Sequence, residues 1–339
     1  MGKTAFVFPG QGAQASGMGA ELYKSHAAAK GIFGWAEALR PGTKEQCFSA
    51  DINELSITAN TQPCLFVTEL AIAEALYEEG IEADMTAGFS LGELSALCYA
   101  YMRESDESAF SLTGTKDKNK SVLKEKDYIF SDILELVIKR SELMQESAEK
   151  NPASMAAVLK LSNDKVEELC RRFEKVYPVN FNCPGQVSVS AKAEIMPLFA
   201  EEVKAAGGRL VPLKVNGGFH SPFMTSAAEA FKKEVSDKNL TVPSFKVYSD
   251  LTAKPYGIAE SETECNSKRN EMADMLSKQI VSPVLWEQLI RNMISDGADT
   301  FIEVGPGETL SGMIKRIDKN VRVFAVSDTD GIERLKKEL

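Results

Sequence analysis

The chain has 339 residues, and its 44% hydrophobic content suits an ordinary globular core and excludes a disordered or fibrous protein. Its 39 basic and 49 acidic residues argue against nucleic-acid binding, so contact with an acidic partner would need a local basic patch. The six cysteines show no C-x-x-C spacing, and there is neither a secretory leader nor an apolar run of membrane-spanning length, so we expect a cytoplasmic protein with reduced thiols.

The first predicted strand covers residues 4–8 and ends in a loop whose glycines permit close backbone approach to a ligand. Gly10, Gly12 and Ala15 also fit the loose dinucleotide-binding spacing G-x-G-x-x-A, so an NAD-linked enzyme is one alternative. That fingerprint needs a second strand ending in an acidic residue about twenty positions further on. Residues 30–39 predict a helix instead, which disfavours the cofactor alternative.

Ser90 lies in a Gly-x-Ser-x-Gly segment, 88–93, between a predicted strand (83–87) and a predicted helix (92–100). This order is the context of a nucleophile elbow, in which small flanking residues permit a sharp turn and the helix start faces the serine hydroxyl. The bare pattern also occurs by chance in loops, so the interpretation depends on the flanking elements. Together they predict acyl transfer through an ester on Ser90.

Helical and charged segments precede and follow this serine. Residues 61–80 predict a core helix with Pro63 at its start. Residues 102–128 carry mixed charges with few apolar anchors, which is typical of a solvated loop or a short surface helix. Residues 131–150 return to helical periodicity, with Ser131 as a candidate N-cap.

Arg140 falls in the middle of the apolar stripe of the helix predicted over 131–150. An unpaired buried charge is very costly, so this arginine must have a partner or bind an anion. Periodicity alone leaves two alternatives open. Arg140 forms a structural salt bridge with a buried carboxylate, or it holds the carboxylate of a ligand.

A self-contained pattern of two helices and four strands begins at Met155. The predicted order is strand 155–161, helix 163–173, strand 177–182, strand 186–191, helix 193–206 and strand 209–215. This βαββαβ order predicts a small ferredoxin-like domain over 153–216, inserted into a larger domain formed by 1–152 and 217–339. A cleft between two such domains is a favoured position for a ligand site.

His220 follows the predicted small domain and comes just before a helix that Ser221 and Pro222 are suited to begin. The only other histidine, His26, lies in a polar, alanine-rich helical stretch. If Ser90 has an imidazole base, that base is therefore His220. The last third of the chain adds further α/β units: strands 245–249, 300–304 and 321–326, and helices 271–280 and 286–295.

With these segments in place, the sequence resembles the malonyl-CoA:acyl carrier protein transacylases and the related acyltransferase domains of polyketide synthases. The resemblance covers nearly the whole chain, and seven motifs occur in the order of the family. They are 8–12 (FPGQG), 88–93 (GFSLGE), 139–145 around Arg140, 180–186 (NFNCPGQ), 219–221 (FHS), 279–286 around Gln279 and 303–307 (EVGPG).

The resemblance implies a large α/β-hydrolase-like domain with a parallel sheet and a small ferredoxin-like domain. It also implies roles for the matching residues. Ser90 is the nucleophile, His220 its base, the backbone amides of Gln11 and Leu91 the oxyanion hole, Gln279 the carbonyl that orients His220, and Arg140 the group that binds the malonyl carboxylate. No cofactor or metal is implied, since malonyl-CoA is the substrate and a holo acyl carrier protein the acceptor.

Further expectations concern selectivity and partners. Phe219, directly before His220, is expected to crowd the α-carbon of the acyl group and disfavour a methyl branch. Lys315 and Arg316 are candidates for the basic patch that an acidic carrier protein requires, although solvated surface charge is an equal alternative. We expect a monomer without nucleic-acid or membrane contacts.

The chain departs from the family pattern in two places. Phe89 stands where a histidine is usual, and the charged region 102–128 is longer than expected. Three functions remain open: malonyl transfer in fatty acid synthesis, a trans-acting polyketide acyltransferase or acyl-hydrolase of the same fold, and a non-catalytic module that binds carrier proteins. The presence of Ser90, His220 and Arg140 disfavours the last.

Overall fold

The computed structural model describes residues 2–107, 122–215, 217–238, 240–257 and 262–339, which form two β-sheets with helices packed around them. The strands within these ranges are β1 (Lys3–Phe8), β2 (Met85–Gly88), β3 (Ser154–Leu159), β4 (Val176–Cys183), β5 (Gln186–Ala191), β6 (Arg209–Pro212), β7 (Val247–Tyr248), β8 (Ala298–Val304) and β9 (Arg322–Val326).

The helices divide between the two sheets and the segments that connect them. They are α1 (Ala20–Ser25), α2 (Ala27–Leu39), α3 (Thr43–Ser49), α4 (Ile52–Leu55), α5 (Thr58–Glu78), α6 (Gly92–Glu107), α7 (Val122–Lys150), α8 (Asn163–Cys170), α9 (Met196–Ala205), α10 (Thr225–Lys238), α11 (Glu262–Gln279), α12 (Trp286–Ser295), α13 (Thr309–Ile317) and α14 (Thr329–Glu338). None of them, over the residues that the structure describes, is both long and apolar enough to cross a bilayer.

The large sheet is parallel throughout, with the strand order β7-β2-β1-β8-β9. β1 lies at its centre, and the run Ala5–Phe8 is fully buried because helices cover both faces of the sheet. The chain adds β2 and β7 on one side of β1 and β8 and β9 on the other. The strand order therefore changes direction at β1. Open α/β sheets bind ligands at the carboxyl ends of the strands that flank such a change of direction.

The small sheet is antiparallel and has the order β4-β5-β3-β6. With α8 between β3 and β4, and α9 between β5 and β6, these elements form the ferredoxin-like βαββαβ unit that the sequence predicts. The predicted fold class, a parallel-sheet α/β protein with a small additional α/β unit, is therefore confirmed. The unit lies within the predicted range 153–216, while the domain boundaries themselves stay a prediction.

The small sheet is bonded to the segment that follows α11. Val284 accepts a hydrogen bond from the Phe181 amide and donates one to the Val179 carbonyl, both at 2.9 Å. The segment that follows Gln279 therefore pairs with β4 along one edge of the small sheet. His220 follows β6 in sequence, so the small sheet adjoins two segments that carry candidate site residues.

Two predicted helix starts were wrong. α5 begins at Thr58 because the Asn60 and Thr61 amides already donate to the Ile57 carbonyl at 2.8 Å, which places Pro63 inside the helix. α7 begins at Val122, so Ser131 lies within it and is not its N-cap. The charged residues that precede Ser131 continue the helix, which periodicity of the apolar positions alone did not indicate.

The prediction that residues 102–128 form a solvated segment was wrong at both ends of this range. Arg103 is buried at the end of α6 and forms an ion pair with Glu74. Lys126 is buried in α7, and its Nζ lies 3.7 Å from the same Glu74 carboxylate. A carboxylate on α5 thus allows both cations to be buried. Residues 108–121 of this prediction lie outside the described residues.

Candidate active site

Ser90 lies in the turn between β2 and α6, where the pattern predicts it. Its φ of 57° is in the left-handed region, which a serine adopts only when the surrounding structure enforces it. A Cβ atom on Gly88 would lie 1.8 Å from the Gly92 carbonyl carbon, and one on Gly92 would lie 2.1 Å from the Phe8 carbonyl oxygen. Both glycines are therefore required for the chain to turn this sharply at the end of the sheet.

His220 is the histidine that the fold brings to this serine. Its Nε2 lies 2.7 Å from Ser90 Oγ, and its Nδ1 lies 2.9 Å from the Gln279 carbonyl oxygen. The carbonyl can only accept, so Nδ1 carries the hydrogen and the lone pair of Nε2 faces the hydroxyl. His26 lies instead beside Glu79 at the end of α5, with 3.9 Å between its Nε2 and the carboxylate.

The surroundings of His220 keep its imidazole neutral. Burial, and then the positive charge of Arg140, lower the pKa of His220 to about 4. The side chain is 4% exposed, so water does little to stabilise an imidazolium ion. At neutral pH the ring is therefore free to accept a proton from the serine hydroxyl.

Arg140 reaches the same hydroxyl from α7, and its side chain is only 1% exposed. Its Nη2 donates to Ser90 Oγ at 3.1 Å and to Gln279 Oε1 at 2.9 Å, and its Nη1 donates to Gln62 Oε1 at 2.8 Å. The ion pairs among the described residues do not include Arg140, so its direct partners are two neutral amides and a hydroxyl. Of the two alternatives left open by the sequence, the geometry favours a guanidinium available to an anion.

The pKa of Arg140 falls to about 10 because the side chain is buried, although the charges of Asp250 and Glu93 partly offset this effect. The guanidinium thus stays positive at neutral pH.

Sequence reasoning missed Gln62, whose Oε1 accepts a hydrogen bond from the Arg140 guanidinium. The signal was present, since a glutamine in the otherwise apolar helix predicted over 61–80 is a buried polar group that needs a partner.

Gln279 joins the parts of the site. In addition to its carbonyl contact with His220 and its Oε1 contact with Arg140, its Nε2 donates to the Ser90 carbonyl at 2.8 Å. The same Nε2 lies 3.0 Å from Glu93 Oε2 and 3.3 Å from Asp250 Oδ2. The sequence predicted only the carbonyl contact. The side chain itself connects the elbow, the arginine and two buried carboxyl groups.

Those two carboxyl groups were also missed as site residues. Glu93 ends the elbow motif and lies in the first turn of α6, whereas Asp250 follows β7 at the carboxyl edge of the sheet. Asp250 Oδ2 accepts the Ser90 amide at 2.6 Å, so this carboxyl group contacts the elbow backbone directly. The available signal was an acidic residue placed directly after a buried strand, beside the predicted nucleophile.

The two amides predicted to form an oxyanion hole belong to loops that meet at the elbow. Leu91 directly follows the serine, and Gln11 lies in the loop after β1. That loop packs on the elbow, since a Cβ atom on Gly10 would lie 2.5 Å from the Phe89 carbonyl oxygen. Within the described residues neither the Gln11 nor the Leu91 amide donates to a protein acceptor, which leaves both amides available to a ligand.

The remaining predicted residues lie around this centre. Phe219 is 6% exposed and directly precedes His220. Lys315 and Arg316 are exposed in the last turn of α13. Arg316 donates to Gln186 Oε1 at 2.7 Å and to the Pro184 carbonyl at 3.0 Å, so it contacts the turn between β4 and β5. No hydrogen bond or ion pair between the described residues links Lys315 or Arg316 to Ser90.

Comparison with known proteins identifies the family. The family described as "Acyl transferase domain" matches residues 5–122 and 129–334. The malonyl CoA-acyl carrier protein transacylase of Bacillus subtilis is 35% identical over 98% of this chain and 96% of its own.

Solved structures agree with this result. The crystal structure of the malonyl CoA-acyl carrier protein transacylase from Clostridium perfringens is 31% identical, has a TM-score of 0.84, and is matched over 99% of this chain and 96% of its own. A malonyl-transacylase solved in complex with a type II polyketide synthase acyl-carrier protein is 28% identical, also with a TM-score of 0.84, over 99% and 100% of the two chains. The chain therefore belongs to the acyl transferase family, among the malonyl CoA-acyl carrier protein transacylases that its motifs resemble.

Proposed function

We propose that the protein transfers a malonyl group from malonyl-CoA to the phosphopantetheine thiol of an acyl carrier protein, through an ester on Ser90. The names of the relatives support this reaction. The observation that carries the proposal is the position of Ser90 Oγ, which lies 2.7 Å from a neutral imidazole and 3.1 Å from a buried guanidinium. An activated nucleophile thus stands beside a group that selects an anionic acyl chain.

In the first half-reaction, Ser90 Oγ attacks the thioester carbonyl of malonyl-CoA while His220 Nε2 takes the hydroxyl proton. The carbonyl oxygen becomes negative and is held by the amides of Gln11 and Leu91. The C–S bond then breaks, and the departing coenzyme A thiolate receives the proton from His220. The products are the malonyl ester of Ser90 and free coenzyme A.

The second half-reaction uses the same groups in reverse. The carrier thiol gives its proton to His220 and attacks the ester carbonyl, and Ser90 leaves and takes the proton back. One thioester is consumed and one is formed, so atoms and charge balance without a further reactant. Gln279 keeps the imidazole in the required tautomer through both halves, because its carbonyl accepts the Nδ1 hydrogen.

Arg140 supplies the selectivity of this mechanism. In the unacylated protein its Nη2 donates to the Ser90 hydroxyl, so its charge already faces the position of the acyl group. The free carboxylate of a malonyl ester on Ser90 pairs with the guanidinium in place of this hydroxyl contact. An acetyl ester leaves the buried charge without an anion, which disfavours acetyl transfer.

The proposal also covers the setting in which the protein works. The acceptor is an acyl carrier protein, and the reaction supplies malonyl units for fatty acid elongation. The proposal takes the protein to act as a monomer in the cytoplasm. Five buried free cysteines among the described residues are consistent with a reducing compartment.

Intact-mass spectrometry of the protein after incubation with malonyl-CoA tests the central step. The wild type should gain one malonyl group, and Ser90→Ala should gain none. Ser236→Ala, which removes an exposed hydroxyl on α10, is the matched control and should load normally. A malonylated Ser90→Ala protein would contradict the assignment of the nucleophile.

Addition of a holo carrier protein to the loaded wild type tests the second half-reaction. The malonyl group should move to the carrier, and the mass of the enzyme should return to its starting value. Loss of the group at the same rate without the carrier would instead identify an acyl-hydrolase. Parallel incubations with acetyl-CoA and methylmalonyl-CoA report the acyl preference.

A further inference from the structure

Two carboxyl groups, those of Asp250 and Glu93, lie directly behind the nucleophile, and both residues are fully buried. Asp250 Oδ2 accepts the Ser90 amide at 2.6 Å and faces Gln279 Nε2 at 3.3 Å. The conformation of the elbow is therefore tied to Asp250 by the backbone of the nucleophile itself. Two negative charges in contact at such a position would repel each other strongly.

The two carboxyl groups differ in the hydrogen bonds that they accept. Glu93 accepts three donors, namely the Tyr256 hydroxyl, the Asp250 amide at 3.1 Å and Gln279 Nε2 at 3.0 Å. Asp250 uses only Oδ2, because its buried Oδ1 accepts no hydrogen bond within the described residues. A carboxylate is stabilised by donors, so the negative charge belongs on Glu93.

The remaining proton belongs on Asp250. The two carboxyl groups share a donor, because Gln279 Nε2 lies 3.0 Å from Glu93 Oε2 and 3.3 Å from Asp250 Oδ2, and two negative charges this close favour one shared proton. Burial and the charge of Glu93 raise the pKa of Asp250 well above its usual range, while the Ser90 amide and Arg140 act in the opposite direction. At neutral pH His220 is neutral and adds no charge, while Arg140 stays positive.

We propose that Asp250 is a positioning residue that stays protonated in the working enzyme, with Oδ2 holding the Ser90 amide and the proton on Oδ1, the oxygen that accepts no hydrogen bond within the described residues. This inference rests on the proposed role of Ser90 as nucleophile. It leaves one buried carboxylate, Glu93, to balance Arg140 through the bridging side chain of Gln279. A second carboxylate beside the serine would oppose both the malonyl carboxylate and the developing oxyanion.

Amide substitutions distinguish a protonated carboxyl group from a charged one. Asparagine at position 250 keeps an acceptor for the Ser90 amide and places an NH2 group where the proposal places the protonated oxygen. Asp250→Ala should lower kcat/KM for malonyl loading by about 10-fold or more, because it removes the acceptor that holds the Ser90 amide. Asp250→Asn should recover most of this loss.

The matched pair at position 93 should behave differently. Glutamine there replaces an acceptor oxygen by an NH2 group that faces other donors, so Glu93→Gln should recover little of the loss caused by Glu93→Ala. The opposite pattern, with rescue by Glu93→Gln but not by Asp250→Asn, would place the proton on Glu93 and overturn the proposal.

Infrared spectroscopy at neutral pH reads the proton without relying on activity. A protonated carboxyl group gives a carbonyl band distinct from that of a carboxylate. This band should be weaker in Asp250→Asn than in the wild type, because the variant lacks the contribution of Asp250. The exposed control Glu229→Gln should retain it. Retention of the full band in Asp250→Asn would contradict the inference, whereas a wild type that cannot be malonylated would instead contradict the proposed function.

Discussion

In the proposed mechanism His220 carries the proton through both half-reactions, and only its neutral form can accept one. Because burial and Arg140 lower its pKa to about 4, the imidazole stays neutral down to that pH. We expect kcat/KM for malonyl loading to remain level as pH falls from 7 to about 5, and to decline through about 4.

Stopped-time loading across this pH range checks the prediction, since kcat/KM reports the pKa of the free enzyme. Circular dichroism at each pH serves as a control for unfolding. A decline centred on the ordinary histidine pKa of about 6.5 would contradict the assigned burial and charge effects.

Arg140 determines the acyl preference in the proposed mechanism. Arg140→Ala removes the charge that pairs with the malonyl carboxylate, so malonyl loading should fall by a factor on the order of 10² or more. Acetyl loading should rise relative to it, because no buried charge is left without an anion.

A competition between malonyl-CoA and acetyl-CoA, read by intact mass, measures this ratio. Lys139→Ala is the matched control, since it removes an exposed cation from the adjacent position of α7. If Arg140→Ala leaves the malonyl-to-acetyl ratio unchanged, Arg140 has a structural role only.

At the scale of elements, the junction of β2 with α6 depends on the absence of two side chains. Gly92→Ala would place a Cβ atom 2.1 Å from the Phe8 carbonyl oxygen, and the backbone of central strand β1 cannot move away cheaply. We expect Gly92→Ala to lower the free energy of unfolding by at least about 2 kcal/mol and to reduce malonyl loading.

Urea denaturation measures this free energy. Gly31→Ala in α2 is the matched control because, apart from its own turn of the helix, the added methyl group meets no atom within 4 Å. Alanine is the better helix former, so this control should be unchanged or more stable by about 0.5–1 kcal/mol. Equal destabilisation by the two substitutions would mean that close packing at the elbow does not explain Gly92.

For the whole molecule, the open question is where a carrier protein binds. Lys315 and Arg316 stay the predicted patch on a chain with a net charge of −10. Charge reversal of both residues should raise KM for the carrier and leave loading by malonyl-CoA intact, because docking and acylation use separate surfaces. The rise should be smaller at high salt.

Arg316 also contacts Gln186, so a structural effect must be separated from a docking effect. Gln186→Ala removes this contact without changing charge and should leave KM for the carrier unaffected. If the charge reversal lowers both half-reactions together, or neither of them, the patch lies elsewhere.

Much of this arrangement could be predicted from the sequence because its signals are local. The elbow needs glycines at fixed positions beside Ser90, and alternating strand and helix periodicities predict the βαββαβ unit. Element ends were predicted less well. The helix expected over 271–280 begins at Glu262, and the strand expected over 245–249 is only Val247–Tyr248, because tertiary contacts decide where an element ends.

The missed site residues share a different property. Gln62, Glu93 and Asp250 act through partners that are distant in sequence, such as the 160 positions between Ser90 and Asp250. No spacing rule connects such residues. Their only sequence signal is a polar side chain in an apolar segment or at the end of a strand, and that signal does not name the partner.

Gln279 contacts the base through its carbonyl, the selectivity arginine through Oε1 and the elbow through Nε2. A substitution at this position therefore alters charge recognition and nucleophile geometry together, and their effects will not add. We therefore expect no substitution of Gln279 to change acyl preference without also lowering turnover. Substitution of Gln62, which contacts Arg140 and Met144 but not the elbow, should instead alter charge recognition with less effect on the nucleophile.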